Sequence, residues 1–368
     1  MMQARAFRVA VPETELDDLR QRIARTRWPV PSPARPWTDG ISGEYLADLL
    51  QEWRTEFDWR HQEERINALP QQMVEVAGTR LHVVHARSVK PDATPLLMIH
   101  GWPSSFWEFH RILPELSDFH VVVASLPGYG WSDAPARTGW DTGRIAEAFV
   151  ELMAGLGHRD YLIHGSDWGS RIAARMGIID AQRVRGVHLA FPGFIMPPPD
   201  QSLDDLPAED QVTLQTVRSF AHDGSAYLQL QATTPQTVAH GLSDSPAGLA
   251  AWLVEKYHAW ADHDGDVDAV IDRADLLTTL TIYWVTNSIG PSMRLYREHG
   301  RRPWSDQVPV PAACCLLPGE PVPPVRSHVE RFLDVRQWTR YERGGHFAAL
   351  EQPGAVAADL RAFAAVTG

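Results

Sequence analysis

A tight turn between a strand and a helix, at residues 165–169, carries the strongest candidate for a nucleophile in this sequence. The segment GSDWG follows the apolar run YLIH and precedes a helical pattern. Small residues at its two ends permit a turn that exposes the central side chain, which is Asp167. A turn centred on Ser166 would put His164 and Trp168 where small residues are needed, so we predict a carboxylate nucleophile. The competing interpretation of Asp167 is a helix N-cap.

A carboxylate nucleophile restricts the chemistry. Attack on an acyl carbon would give an anhydride, whereas displacement of a leaving group from an sp3 carbon gives an alkyl ester. Water must then attack the carbonyl of that ester, which requires a base and an oxyanion hole. The segment HGWP at 100–103 follows the run LLMI. Its turn can aim the backbone N–H of Trp102 at the oxyanion, beside the N–H of Trp168.

Two residues late in the chain fit the base and the acid that orients it. In proteins with this type of turn, the nucleophile is followed along the chain by the acid and then by the histidine. His346, in GGHF, lies between the last strand pattern and the final helix. Glu320, in LLPGEP, directly follows the apolar run that ends at Leu317. Asp334 is the competing acid, but it lies closer to the last strand pattern, so we favour Glu320.

The leaving group decides which further residues are needed. If it is an epoxide oxygen, it departs as an alkoxide, and a weak acid must donate a proton or a hydrogen bond to it. Tyrosine suits this role. The helical middle of the chain contains four tyrosines, and sequence pattern alone does not choose among Tyr227, Tyr257, Tyr283 and Tyr296.

The elements that must position these residues alternate between strands and helices. A hairpin pattern turns at Gly78-Thr79, and apolar runs separated by helical patterns follow it. The runs lie at 95–100, 119–125, 160–166 and 184–190, and the helical patterns at 105–116, 143–156 and 170–179. Strands that are apolar throughout and alternate with helices form a parallel sheet buried on both faces. Strand patterns return at 310–317 and 335–341, and a helix at 353–364 ends the chain.

Between the two groups of strands, a Pro-rich link leads into helical sequence that includes 249–260 and 276–296. This order predicts the α/β class, and within it an α/β-hydrolase fold with a mostly parallel central sheet and a helical lid insertion. Amphipathic helices at 13–26 and 43–57 need a surface to cover, so we expect the N-terminal segment to pack on another domain. The predicted boundaries are 1–71 for the N-terminal segment, 72–191 for the first part of the core, 192–300 for the lid and 301–368 for the second part of the core.

Composition excludes several functions. The formal net charge of -12 argues against nucleic acid, because phosphate binding needs clustered Lys and Arg. The two cysteines, Cys314 and Cys315, are adjacent and should be packed thiols rather than a disulfide. The N-terminus has no apolar signal-peptide core, and no run approaches the roughly 18 apolar residues of a membrane span. We therefore expect a cytoplasmic protein without a membrane anchor.

The acidic segment DHDGDVDAVID at 262–272 superficially matches a calcium loop. An EF-hand loop needs Gly at its sixth position and Glu at its twelfth. Counted from Asp262, those positions hold Val267 and Arg273. We therefore predict a polar connection between helices, and we expect the protein to need no metal and no organic cofactor.

Nearly the whole chain resembles the microsomal-type epoxide hydrolases, a family that includes juvenile-hormone and soluble microbial members. The motifs that carry the resemblance occur in family order and are LRQRIARTRWP, EWRTEFDWRHQEERIN, HGWPSSFWEF, GSDWGS, YLQLQATTPQTV, LSDSPAGLAAW, the DGDVD loop, IYWVTNSI and RGGHFAALEQP. The resemblance implies that the N-terminal segment wraps the lid and reaches over the core. Membrane-bound relatives carry an N-terminal anchor, which we do not expect here.

The resemblance also implies a role for each site residue. Asp167 matches the nucleophile, His346 the base, and Glu320 the acid that orients the base. Tyr227, in SAYLQLQATTP, and Tyr296, in MRLYREHG, match the paired lid tyrosines that hold the epoxide oxygen. The Pro-rich EPVPPVRS after Glu320 departs from the family pattern and leaves the register of that loop open.

Together these features predict an epoxide hydrolase that converts a hydrophobic small-molecule epoxide, with an aryl epoxide as one option, to a vicinal diol. A haloalkane dehalogenase-like hydrolase and a catalytically silent ligand-binding homologue are the alternatives. A homodimer is an open alternative to a monomer. The natural substrate, its regiochemistry and the pathway, whether detoxification, catabolism or secondary metabolism, are not encoded in any pattern that we can interpret.

Overall fold

The computed structural model describes residues 4–300 and 302–368, so the predicted boundary at 301 and the first three residues lie outside the described chain. Within these ranges nine strands form one sheet, in the order β1-β2-β3-β5-β4-β6-β7-β8-β9. The strands are β1 (Ala4–Ala6), β2 (Gln71–Val76), β3 (Thr79–Ala86), β4 (Pro95–Ile99), β5 (His120–Ala124), β6 (Tyr161–Gly165), β7 (Val184–Leu189), β8 (Val308–Leu316) and β9 (Leu333–Arg340).

The same described residues form fourteen α-helices. They are α1 (Glu13–Ala24), α2 (Gly43–Thr55), α3 (Trp59–Asn67), α4 (Thr142–Gly155), α5 (Trp168–Ile179), α6 (Ala208–Ser219), α7 (Ala226–Thr233), α8 (Pro235–Asp244), α9 (Pro246–Trp260), α10 (Arg273–Val285), α11 (Ile289–His299), α12 (Arg326–Val329), α13 (Ala348–Glu351) and α14 (Pro353–Thr367). None of these helices is long and apolar enough to cross a membrane.

The sheet is parallel where the apolar runs predicted it. Strands β1, β2, β3 and β5 pair antiparallel at one edge, whereas β5, β4, β6, β7, β8 and β9 are parallel neighbours. Every residue of β6 is buried, as expected for a strand covered by helices on both faces. The predicted fold class is confirmed, with helices α6 to α11 inserted between β7 and β8. The hairpin of β2 and β3 turns at Ala77 and Gly78, both with positive φ, one residue earlier than expected.

Two predicted helices were wrong in extent. The pattern at 105–116 forms two short 3-10 segments, Phe106–Phe109 and Leu113–Leu116. Pro114 has no N–H to donate to a preceding carbonyl, so a continuous α-helix would lose a hydrogen bond there. The pattern at 276–296 is two helices, α10 and α11, because Asn287 adopts a left-handed conformation with φ 49° and ends the first one.

The N-terminal helices pack on the inserted helices, which we call the lid segment (α6 to α11). The buried indole of Trp53 in α2 donates through Nε1 to Thr281 Oγ1 at 2.9 Å. Arg273, at the start of α10, pairs with Asp48 and Glu52 of α2 at 2.7 and 2.9 Å. The apolar faces of α1 and α2, predicted to need a partner, are therefore covered by this segment. The bounds of the four predicted segments remain predictions.

Candidate active site

Asp167 stands between β6 and α5 in a strained turn. Its backbone has φ 46° and ψ -121°, a conformation that a non-glycine residue rarely adopts and that often marks a functional site. The turn leaves no room for side chains on either side of it. A Cβ atom at Gly165 would lie 2.3 Å from the backbone of Gly169, and one at Gly169 would lie 1.9 Å from the carbonyl oxygen of Ile99. The small residues that predicted the turn are thus required by packing.

The HGWP turn after β4 meets the carboxylate of Asp167. The backbone N–H of Trp102 donates to Asp167 Oδ1 at 2.8 Å. A Cβ atom at Gly101 would lie 2.1 Å from the same oxygen, so only glycine lets the turn approach so closely. Trp168 is the first residue of α5, and the N-terminus of that helix favours negative charge. The two predicted oxyanion residues, Trp102 and Trp168, therefore adjoin the nucleophile from two different elements.

His346 and Glu320 come together from the loops after β9 and β8. The Nδ1 atom of His346 lies 2.7 Å from Glu320 Oε2, and both side chains are buried. The other carboxylate oxygen of Glu320 accepts from the N–H of Val322 at 3.0 Å. Asp334, the competing acid, lies in β9 with its side chain 44% exposed and accepts from Arg336 instead. The structure thus gives His346 a buried acid and leaves Asp334 on the surface.

The free side of the His346 ring faces Asp167. Its Nε2 lies 3.6 Å from Asp167 Oδ2, which is too far for a direct hydrogen bond and suits a bridging water. Burial disfavours the charged ring, but the charges of Glu320 and Asp167 and the hydrogen bond to Glu320 outweigh it and raise the pKa of His346 well above its usual value. Loss of the charge on Asp167 would therefore lower the pKa of His346.

Two of the four candidate tyrosines stand over the two oxyanion residues. The ring of Tyr227, in α7, stacks on Trp102 at 5.2 Å, and the ring of Tyr296, in α11, meets Trp168 edge-on at 4.8 Å. The two tyrosine rings are 6.0 Å apart. Burial and the charge of Asp167 raise the pKa of both phenols, which therefore stay protonated at neutral pH and can donate.

The other two tyrosines of the lid segment have different surroundings. Tyr283 donates its hydroxyl to the carbonyl oxygen of Ser104 at 2.9 Å, so its proton is already used. The ring of Tyr257 stacks on Phe347 at 4.1 Å. The tertiary structure thus separates Tyr227 and Tyr296 from the remaining pair, a distinction that the sequence pattern did not make.

Two acidic residues that the sequence reasoning missed hold the loop of His346. Asp262 Oδ2 accepts from the N–H of Gly344 at 2.8 Å, and the N–H of Asp262 donates to Glu351 Oε2 at 2.8 Å. Glu351 also accepts from the N–H groups of Gly345 and Phe347, on either side of His346. The acidic segment after α9 is therefore a polar connection that supports the histidine loop. The only feature of the sequence that marked this acidic segment was its high content of Asp.

One group of residues in the described chain has ligand atoms close enough to bind a metal. They are His188 in β7, Cys315 in β8 and Asp359 in α14, and all three are buried. Asp359 Oδ2 is 3.0 Å from His188 Nε2 and accepts from Cys315 Sγ at 3.5 Å, so hydrogen bonds account for the arrangement. Both cysteines are free and buried. Nothing in this cluster requires an ion.

A carboxylate in a strand-to-helix elbow, with a buried acid–histidine pair beside it at the carboxyl edge of a mostly parallel sheet, is an arrangement typical of the α/β-hydrolase fold. The family comparisons agree with this class. Residues 4–109 match the model described as epoxide hydrolase N terminus, and residues 94–246 match the model of the alpha/beta hydrolase fold.

Similar proteins point to one family. Epoxide hydrolase 1 of Oryctolagus cuniculus is 32% identical, with 98% of this chain and 88% of the relative covered. Juvenile hormone epoxide hydrolase 2 of Ctenocephalides felis is 33% identical over 97% of this chain and 84% of the relative. The solved Aspergillus niger epoxide hydrolase is 31% identical, with a TM-score of 0.89 over 100% of this chain and 97% of that chain. The chain belongs to the epoxide hydrolase family, and its enzyme class is that of a hydrolase.

Proposed function

We propose that this protein hydrolyses a hydrophobic epoxide to a vicinal diol through a covalent ester on Asp167. The observation that carries the proposal is the placement of one carboxylate between two sets of groups. Asp167 lies 3.6 Å from His346, which is backed by Glu320, and the lid tyrosines Tyr227 and Tyr296 pack on Trp102 and Trp168, the two residues that adjoin it. A displacement followed by hydrolysis needs these two sets of groups in succession.

In the first step, a carboxylate oxygen of Asp167 attacks one epoxide carbon and the C–O bond to the ring oxygen breaks. The departing alkoxide accepts hydrogen bonds from Tyr227 and Tyr296 and takes the proton of one of them, so the step yields a hydroxyalkyl ester and a tyrosinate. The raised pKa of both phenols keeps them protonated as donors. No metal or organic cofactor is needed for this step.

In the second step, His346 takes a proton from water and the hydroxide attacks the carbonyl carbon of the ester. The hydrogen bond to Glu320 holds the Nδ1 proton and leaves Nε2 as the acceptor. Because the ester has lost the negative charge of Asp167, the pKa of His346 is lower than in the resting enzyme and the ring can act as a base. The oxyanion lies beneath the N–H groups of Trp102 and Trp168. Its collapse breaks the ester C–O bond, and the departing alkoxide takes the proton from His346 to give the diol. The proton left on the Asp167 carboxyl group returns to the tyrosinate.

The walls of the site favour an apolar substrate. Aromatic rings surround the reacting groups, with Trp260 at 5.0 Å and Phe191 at 5.6 Å from the ring of His346. Trp260 also lies 5.2 Å from Tyr227. Such surfaces contribute binding through area burial and edge-to-face contacts, which suits an aryl or bulky hydrophobic epoxide. The expected cytoplasmic location and the option of a homodimer remain predictions, to be checked by cell fractionation and light scattering.

The test is diol formation from styrene oxide by the purified protein. Asp167→Asn should abolish alkylation, whereas the control Asp133→Asn, at an exposed aspartate paired with Arg80, should leave activity unchanged. A single turnover in H2(18)O with excess enzyme should place the heavy oxygen in Asp167 and not in the first diol released. Label in that first diol would contradict the ester route and favour direct attack by water.

His346→Gln should let the ester accumulate, visible as an added mass equal to that of the epoxide. This result would separate the proposal from a catalytically silent ligand-binding protein, which would bind the epoxide without forming an adduct. Wild-type protein that binds styrene oxide and a wider epoxide panel but releases no diol would support the silent alternative.

A haloalkane dehalogenase is the second candidate, and one observation favours it. The indole N–H groups of Trp102 and Trp168 are buried without a hydrogen-bond partner in the described part of the chain, and such groups could hold a halide. The protonated lid tyrosines favour an oxygen leaving group instead, as does membership of the epoxide hydrolase family. Halide release from a bromoalkane, measured beside diol formation, distinguishes the two activities.

A further inference from the structure

A buried carboxyl group outside the proposed triad lies next to the nucleophile. Glu108 belongs to the 3-10 segment that follows the HGWP turn, and it is only 3% exposed. It faces the hydroxyls of Ser104 and of Ser166, the residue before Asp167, and it interacts with the charges of His346 and Asp167. Its Oε1 atom makes no hydrogen bond with any described residue. A carboxyl group rarely remains in such a place without a function.

Three other buried polar atoms around Glu108 also lack a hydrogen-bond partner within the described ranges. They are the Oγ atom of Ser166, the hydroxyl of Tyr257 and the Nε2 atom of His346. Tyr257 interacts with Glu108, and its ring packs against Phe347, next to His346. A buried water typically binds two to four polar groups of this kind. A water bound next to Asp167 would satisfy these four unpaired atoms.

From this arrangement we infer that Glu108 is a positioning residue that holds the hydrolytic water against His346. The inference rests on the proposed function and deepens its second step. The water donates one hydrogen to the Glu108 carboxylate and the other to His346 Nε2, so a lone pair of its oxygen points at the ester carbon of Asp167. The proton that leaves goes to His346, and Glu108 accepts a hydrogen bond from the water without taking its proton.

The charges around Glu108 support an order of events. Burial raises the pKa of Glu108 to about 7, and the negative charge of Asp167 adds to this rise. The hydroxyls of Ser166 and Ser104 and the charge of His346 lower the pKa and so oppose it. Formation of the ester removes the charge of Asp167, so Glu108 then ionises more readily. The carboxylate becomes a stronger acceptor for water at the stage of the reaction that consumes water.

The experiment measures the two steps separately in Glu108→Gln by rapid quench and mass spectrometry of the ester. We expect alkylation to stay within about threefold of wild type and ester hydrolysis to fall by about tenfold or more, since the variant loses a charged hydrogen-bond acceptor. In the wild type, the rate of ester hydrolysis should rise with pH near neutrality in part because Glu108 ionises. That part of the rise should be absent in Glu108→Gln. Asp359→Asn, at a buried carboxylate of α14 that bonds His188, Gln337 and Thr339, is the matched control and should not change the ratio of the two rates.

Tyr257→Phe provides a second variant that keeps the ring stacked on Phe347 and removes only the hydroxyl. It should slow hydrolysis more than alkylation, in the same direction as Glu108→Gln. Equal slowing of both steps, or an unchanged pH profile in Glu108→Gln, would overturn the inference and leave Glu108 as a structural group. Failure of the wild type to form any ester would instead refute the proposed function, so the two failures are distinguishable.

Discussion

Replacing Glu320 by glutamine should slow hydrolysis of the ester while sparing its formation. Glu320 Oε2 lies 2.7 Å from His346 Nδ1, and its side chain is only 4% exposed, so solvent cannot replace the lost charge. A hydrogen bond between charged partners contributes about 1.5–3 kcal/mol, which corresponds to a fall of about 10- to 150-fold in the hydrolysis rate. Glutamine keeps the size of the side chain and can still accept from Nδ1–H, so the ring should keep its orientation.

Glu320→Gln should affect the two steps differently because the imidazolium of His346 forms only in the second step. His346 gains its proton during attack by water, and the charge of Glu320 stabilises the ring at that moment. Alkylation by Asp167 requires no proton transfer to His346, so its rate should change by less than about threefold. The pKa of His346 should fall in the variant, because one of the two charges that raise it is gone.

Rapid-quench mass spectrometry with styrene oxide would measure both rates, and the ester should accumulate in Glu320→Gln. Asp334→Asn is the matched control, because that carboxylate is exposed and bonds Arg336. It should behave as wild type. The reasoning would be refuted if Glu320→Gln slowed both steps equally, or if Asp334→Asn reproduced its effect.

Three further outcomes are expected. Tyr296→Phe or Tyr227→Phe should each slow alkylation by about 10- to 150-fold, through loss of a hydrogen bond to a charged oxygen, while hydrolysis of the preformed ester changes little in quench experiments. Gly169→Ala should cost at least about 3 kcal/mol of unfolding free energy, because the new Cβ atom would lie 1.9 Å from a backbone oxygen of β4. The control is Gly43→Ala, where a Cβ atom meets open space. Equal melting temperatures of the two variants in thermal unfolding would contradict the packing argument. As pH rises from 4.5 to about 7, the wild type should lose about 3 kcal/mol of unfolding free energy relative to Glu108→Gln. The reason is that the carboxyl group of Glu108 ionises in the unfolded chain over this range, while in the folded protein it stays protonated. Urea titrations measure the difference, and a difference that does not change with pH would contradict the raised pKa of Glu108.

Short-range features of the sequence were sufficient to predict the fold class and the turn that carries Asp167. The register that centres the elbow on Asp167 depends on small residues at both ends of five consecutive positions, which is a local steric requirement. The parallel sheet followed from apolar runs alternating with helical patterns, since strands covered on both faces have no polar side. The failures were also local: Pro114 and Asn287 interrupt patterns whose apolar spacing alone indicated continuous helices.

Tertiary structure decided everything that depends on which distant segments meet. The acid beside His346 is Glu320 rather than Asp334 because one loop end is buried and the other is exposed. Sequence pattern left four tyrosines open, the family resemblance implied two, and only packing of the lid segment over the HGWP turn places Tyr227 and Tyr296 there.

Glu108 shows most clearly why the sequence alone could not predict every residue of the site. Nothing in the segment HGWPSSFWEF distinguishes its carboxyl group from a surface glutamate, because desolvation comes from the surrounding protein and not from neighbours in the chain. The raised pKa and the unpaired polar atoms around Glu108 exist only after the lid segment, the elbow and the histidine loop have come together. The residue types that perform chemistry can be read from one segment at a time, whereas their charge states and partners are properties of the assembled site.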